Sequence, residues 1–183
     1  MTSPARTIFD VACDSSFATG LACADYGLAR RLTTPDELSS LPLLHSRRKG
    51  IRKARTVIDM ADGRIESAGE SLCRSVIHHL GFIAPVPQYE FWDGGVLLGR
   101  GDFYWPEQRV LLEFDGLAKY TNPQFRDGRT AGEVVVEEKL REDRIRRLGI
   151  RVVRLTWDEL KQPSEVARLL TSAGIPQRQP RGD

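Results

Sequence analysis

The chain has 183 residues, of which 40% are hydrophobic, and its formal net charge is +2 at pH 7. This length suits one ordinary domain with a buried core, and no apolar stretch is long enough for a membrane-spanning helix. The three cysteines lack a paired Cys-x-x-Cys spacing, which argues against a disulfide framework or a structural zinc site and favours a reducing cytoplasm.

Residues 5–60 are predicted to be helical, because their apolar residues recur at three- and four-residue spacings. Thr34, Pro35 and Glu37 form a helix start with a capping box, and the last helix of this region is expected to end at Gly63. Residues 45–55 form a basic segment, which contains Arg47, Arg48, Lys49, Arg52, Lys53 and Arg55. These cations suit the backbone of DNA, although a solvated cationic helix face is the commoner meaning of such a run.

The next helix is predicted over residues 67–80, where apolar side chains form one stripe and Gly81 marks the end. Three strands follow, over residues 85–92, 96–105 and 109–116, with turns at residues 93–95 and 106–109. Residues 122–132 are expected to form a loop. A charged helix over 133–149, a buried strand over 150–157 and a final helix interrupted at Pro163 complete the pattern.

This order predicts an α/β fold with a mixed sheet between helices, because the strand after the charged helix should join the sheet in parallel. We expect a helical N-terminal region over residues 1–62, an α/β domain over 63–173 and a disordered tail over 174–183. The N-terminal helices are also a surface through which a homodimer or a partner protein could assemble.

Three carboxylates lie in the two strands that flank the second turn. If residues 106–109 form that turn, Trp105 lies opposite Val110 and Asp102 lies opposite Glu113, on one face of the hairpin. Asp115 follows on the same side as Glu113. Acids within apolar strands repel one another unless a cation lies between them, so this pattern predicts a site for Mg²⁺ or Mn²⁺.

Four separated blocks, DFYWP, LLEFDGLAKYT, EKLREDRIRRLG and RVVRLTW, occur in this order over about residues 64–160. They resemble the restriction-endonuclease-like, or PD-(D/E)xK, superfamily. Within it, the chain is most similar to small bacterial endonuclease-like domains related to very-short-patch repair endonucleases, as found in actinobacterial abortive-infection-antitoxin-like proteins. Two departures are visible: Gly101 replaces the motif's Pro, and the superfamily's Glu-x-Lys reads Glu113-Phe-Asp115.

The resemblance implies a restriction-endonuclease-like fold and a Mg²⁺-dependent DNA endonuclease in which Asp102 and Glu113 hold the metal. A carboxylate-bound cation can activate water, neutralise the phosphate and assist the leaving oxygen. Asp115 is a third ligand, a group that orients Lys119, or the cross-strand ion-pair partner of Arg100. Glu70 is at the place of an acid that binds the metal through water in similar nucleases. It is also expected to accept from the Ser67 amide in a capping box, and the two roles are compatible.

The missing lysine of Glu-x-Lys has two candidate replacements, Lys119 and Lys139, which would stabilise phosphate charge. Lys139 is alternatively a solvated helix residue paired with Glu142 or Asp143. Arg141 and Asp143 are expected to connect the charged helix to the site.

Two other functions remain open at this point. The altered Glu-x-Lys motif allows a catalytically inactive, DNA-binding, antitoxin-like regulator with the same fold. A protein-interaction module is the third reading. For the endonuclease, DNA repair and defence against phages or mobile elements are the expected roles, with DNA as the partner and no membrane involved.

Overall fold

The computed structural model describes residues 2–115 and 131–178. The chain divides into two compact units, Met1–His79 and Leu80–Asp183, which we call the helical unit and the sheet unit. The sequence analysis placed the boundary at residue 62, whereas the two units divide after the fifth helix. Among the described residues, no helix combines the length and the apolar character that crossing a membrane requires.

In its described part, residues 2–79, the helical unit consists of five helices. Its helices are α1 (Pro4–Asp14), α2 (Phe17–Ala29), α3 (Pro35–Leu44), α4 (Ile51–Met60) and α5 (Ala68–His79). The predicted capping box is present, because the Thr34 hydroxyl accepts from the Glu37 N–H and the Glu37 carboxylate accepts from the Thr34 N–H. Helix α4 ends before the predicted Gly63. The helix ends at Met60. Two residues later, the Asp62 N–H donates to the Asp25 carboxylate over 2.8 Å and not to a helix carbonyl.

The core of the helical unit forms where α1, α2 and α4 pack together. Close approach of α1 and α2 depends on Gly20, where a Cβ would lie 3.0 Å from the Ala12 Cα. A buried ion pair between Asp25 on α2 and Arg74 on α5, 3.0 Å long, adds a polar link beside this core. The buried side chains of the core are Ala5, Ile8, Phe9, Ala12, Cys13, Leu21, Ala24, Leu38, Ala54, Val57 and Ile58.

The sheet unit contains the predicted strands and helices with boundaries shifted by one or two residues. They are β1 (Val86–Asp93), β2 (Val96–Trp105), β3 (Val110–Asp115), α6 (Ala131–Arg147), β4 (Arg151–Thr156), α7 (Trp157–Leu160) and α8 (Pro163–Ser172). The interruption predicted at Pro163 is confirmed, because residues 161–162 separate α7 from α8. Of the predicted loop at 122–132, residues 122–130 lie outside the described residues.

The four strands form one mixed sheet in the order β1-β2-β3-β4. The first three strands are antiparallel, and β4 pairs with β3 in parallel, as the sequence predicts. Helix α6 packs against β2 and β4. Every residue of β3 except Asp115 is buried. The third strand is therefore the most buried strand of the sheet. The α/β class and the helix-flanked mixed sheet are therefore confirmed.

Residues 174–178 do not form the disordered tail that the sequence predicted. The Ile83 N–H donates to the Pro176 carbonyl over 3.1 Å, and Phe82 forms an antiparallel bridge with Gln177. These backbone bonds anchor the end of the described chain beside the segment that precedes β1. Residues 179–183 lie outside the described residues.

Candidate functional site

The β2–β3 hairpin brings Asp102 close to the peptide that follows Glu113. Residues 106–109 form the turn, and Trp105 pairs with Val110, as predicted. The ladder continues to the pair of Phe103 and Leu112 and ends there. One residue before Phe103 and two after Leu112, the Phe114 N–H donates to Oδ2 of Asp102 over 2.8 Å. The carboxylate thus replaces a backbone acceptor where the ladder stops.

Glu113 is a buried acid in the middle of the sheet, and its residue is 9% exposed. On β4, its neighbour in the parallel register is Arg154. From α6, Arg141 forms an ion pair with it, with 2.6 Å between Nη2 of Arg141 and Oε1 of Glu113. Burial lowers the pKa of Arg154, but the charges of Glu142 and then Glu113 outweigh it and raise that pKa. A buried carboxylate needs such partners, since burial of an unpaired charge is strongly unfavourable.

Arg141 also contacts the backbone of β2, because its Nη1 donates to the Arg100 carbonyl over 2.9 Å. Its aliphatic stem crosses Gly99, where a Cβ would lie 2.7 Å from Cδ of Arg141. A side chain at residue 99 would therefore displace the arginine. The sequence analysis expected Arg141 and Asp143 to connect α6 to the site; the structure gives this contact to Arg141, while Asp143 is exposed.

A second ion-pair cluster lies beside the first. Glu142 on α6 accepts from Arg154 over 2.5 Å and from Arg146 over 2.6 Å. Burial alone would raise the pKa of Glu142, but the hydrogen bond from Arg146 and the charge of Arg154 outweigh it and lower that pKa. Lys139 is exposed on the same helix, and the described partners of Glu142 are these arginines. Sequence reasoning missed Arg154, because only the parallel register places it beside Glu113.

Asp115 ends β3 and is half-buried, with Thr156 as its partner on β4. The alternative of a cross-strand pair with Arg100 assumed that the β2–β3 ladder reaches these residues. The ladder ends earlier, and Arg100 is instead opposite Glu90 on β1. Lys119, the first candidate for the missing lysine, lies outside the described residues.

Glu70 belongs to the helical unit, where it performs the capping role. The Ser67 hydroxyl donates to its Oε1 over 2.8 Å, and the Glu70 N–H donates back to that hydroxyl over 3.2 Å. The backbone amide that reaches its Oε2 is that of Glu66, at 3.1 Å, whereas the sequence predicted that of Ser67. Glu70 is 7% exposed, so the cap is a buried one.

Two cations of the basic segment bind neighbouring residues of the helical unit. Arg48 forms an ion pair with Asp14 over 2.6 Å, and Nζ of Lys53 donates to the Ser15 carbonyl. These two side chains link α4 and the preceding turn to the end of α1. The exposed cations of the segment, in addition to Arg48, are Arg47, Lys49, Arg52 and Arg55.

The carboxylates of Asp102 and Glu113 are chemically suited to a hard divalent cation. Mg²⁺ prefers oxygen ligands, and proteins commonly bind it through one or two carboxylates while it keeps several waters. Within residues 2–115 and 131–178, no cluster of three or more His, Cys, Asp or Glu side chains could hold a metal. The fit to Mg²⁺ or Mn²⁺ therefore rests on the pair.

Two curated proteins of Mycobacterium tuberculosis, from two strains, are similar to the chain: Uncharacterized protein MT2308 and Uncharacterized protein Rv2248. Each is 29% identical over 167 residues, which cover 91% of this chain and 58% of the relative. The chain thus spans somewhat more than half the length of these relatives. No protein-family profile matches the chain, and no solved structure matches it.

Proposed function

We propose that the chain is a divalent-metal-dependent DNA endonuclease with a restriction-endonuclease-like fold, and that Asp102 and Glu113 are its metal-binding pair. The observation that carries this proposal is the contact at the end of the β2–β3 ladder. The Asp102 carboxylate binds the Phe114 amide at 2.8 Å, so it lies next to the peptide that joins Glu113 to Phe114. The mixed sheet and the order of the four sequence blocks support the same interpretation.

Phosphodiester hydrolysis needs an activated water, neutralisation of the phosphate and assistance to the leaving oxygen. A divalent cation supplies this chemistry when bound. The residues of the chain would divide the remaining work. Asp102 and Glu113 would hold the metal, and Arg141 and Arg154 would provide positive charge beside Glu113. Lys119, Lys139 and Asp115 stay candidates for secondary roles in this proposal.

The exposed cations of the basic segment would hold the DNA backbone by neutralising phosphates. A cytoplasmic location and a role in repair or in defence against mobile DNA belong to the same proposal. The curated relatives are longer than the chain. Any activity of a longer protein that contains this domain is therefore also only a proposal.

The test is cleavage of supercoiled plasmid and of mismatched duplex in the presence of Mg²⁺, Mn²⁺ or EDTA. Wild type, Asp102→Asn and Glu113→Gln are compared with the control Asp158→Asn. The control removes a carboxylate whose side chain is 88% exposed. We expect metal-dependent nicking by wild type and Asp158→Asn and its loss in the two site variants. Nicking that persists in EDTA, or that both site variants retain, would contradict the proposal.

A second candidate, the catalytically inactive DNA-binding regulator, is favoured by one observation. The Glu113 carboxylate already has a close cationic partner in Arg141. In that case DNA binding would be metal-independent and would weaken steeply with salt. Replacement of both Arg47 and Arg52 by alanine would reduce the salt dependence, while no variant would show cleavage.

A further inference from the structure

Arg141 is held from two sides at the candidate site. One N–H group reaches Glu113 over 2.6 Å and another reaches the Arg100 carbonyl over 2.9 Å. Gly99 leaves room for its stem. The contact with the β2 backbone does not involve Glu113, so it can remain when the carboxylate partner is lost.

Glu113 needs a positive partner because it is buried. Arg154, its neighbour on β4, is paired with Glu142 over 2.5 Å. Arg141, in contrast, forms its side-chain ion pair with Glu113 itself. A divalent metal ion would supply the same neutralisation, and the two cations would repel each other.

We propose that Arg141 is a positioning residue that neutralises Glu113 in the metal-free protein and is displaced from it by a divalent cation. This inference rests on the proposed metal-binding function. After displacement, the guanidinium keeps its contact with the Arg100 carbonyl and turns its other donors to an anionic phosphodiester. Arg141 thereby performs the charge-stabilising role that the sequence pattern assigns to a lysine two residues after Glu113.

The experiment measures thermal unfolding of the full chain over a MnCl₂ titration, with no DNA present. Wild type is compared with Arg141→Gln, Arg141→Lys and the matched control Arg146→Gln, which removes an arginine of the same helix that pairs with Glu142. Removal of a nearby unit charge should tighten Mn²⁺ binding by about tenfold in Arg141→Gln, since like charges at contact distance repel even in water.

Arg141→Lys keeps the charge, so its Mn²⁺ affinity should stay near that of wild type, and Arg146→Gln should behave like wild type. If Arg141→Gln does not fold without metal, Mn²⁺ should refold it, whereas NaCl of equal ionic strength should not. Failure of Mn²⁺ to do so would overturn the inference.

Three negative results have different meanings. If Mn²⁺ stabilises wild type but binds Arg141→Gln equally or more weakly, the displacement is wrong and the metal site stands. If Mn²⁺ stabilises none of the variants, both the metal site and the displacement are wrong. A tightening seen equally in Arg146→Gln would show a general charge effect and would also contradict the proposal.

Discussion

Asp102 should contribute to stability as well as to metal binding, and two substitutions separate these roles. Its Oδ2 accepts the Phe114 N–H at 2.8 Å, and Phe114 is only 6% exposed. In Asp102→Ala the buried N–H loses this acceptor. In Asp102→Asn an amide oxygen can still accept, while the negative charge is removed.

The expected magnitudes follow from the kind of hydrogen bond. A bond to a charged group contributes about 1.5–3 kcal/mol, and a neutral bond contributes about 1 kcal/mol. We therefore expect the free energy of unfolding to fall by about 2–3 kcal/mol in Asp102→Ala and by about 1 kcal/mol in Asp102→Asn. Both variants should lose metal-dependent cleavage, because neither has the carboxylate.

Urea unfolding in EDTA, followed by tryptophan fluorescence, measures the difference. The Trp157 ring lies 5.0 Å from the Phe114 ring, so its emission reports on this junction. Equal stability of the two variants, within about 0.5 kcal/mol, would refute the argument that the carboxylate replaces a backbone acceptor. Asp102→Asn is accordingly the better variant for testing catalysis.

Three further predictions concern other parts of the chain. Asp25→Ala should lower the free energy of unfolding, measured in urea, by about 3–5 kcal/mol because it leaves Arg74 buried without its carboxylate partner. Asp158→Ala removes one partner of an exposed ion pair and should change this free energy by less than about 0.5 kcal/mol. The pKa of Glu142 is lowered from 4.5 in the folded chain, so the unfolded chain binds more protons at acidic pH. The stability that this carboxylate contributes is therefore present above pH 4.5. It is lost as the pH falls through the folded pKa. Glu142→Gln should therefore be less stable than wild type by up to about 1 kcal/mol at neutral pH, and the difference in melting temperature should vanish in strong acid. Gly101→Ala should cost about 1–3 kcal/mol by overpacking, since its Cβ would overlap a buried leucine of β3, and equal melting temperatures would contradict this.

The elements of this fold are largely readable from local signals. The turn at residues 106–109 is flanked by apolar runs of strand length, and the parallel strand follows a long charged helix. Pro163 stops one helix and begins another. In contrast, the early end of α4 depends on a hydrogen bond from Asp62 to Asp25, which are far apart in sequence.

The candidate site was predictable only in part, for a related reason. Alternation along β2 and β3 correctly pairs Trp105 with Val110, but it does not indicate where the ladder ends. The neighbours of Glu113 depend on the register of β4 and on the side of α6 that faces the sheet. The cations of the basic segment show the same limit, because Arg48 and Lys53 bind partners on and after α1.

The end of the β2–β3 ladder explains why structure and proposed chemistry coincide at these residues. A strand that leaves its partner frees backbone groups, which side chains can then bind. Here Asp102 binds the Phe114 amide, and Arg141 binds the Arg100 carbonyl. Asp102 and Arg141, which complete the backbone hydrogen bonding, are thus also charged residues next to Glu113. A substitution at either residue changes both the strand junction and the charge next to Glu113, so stability and metal affinity must be measured together.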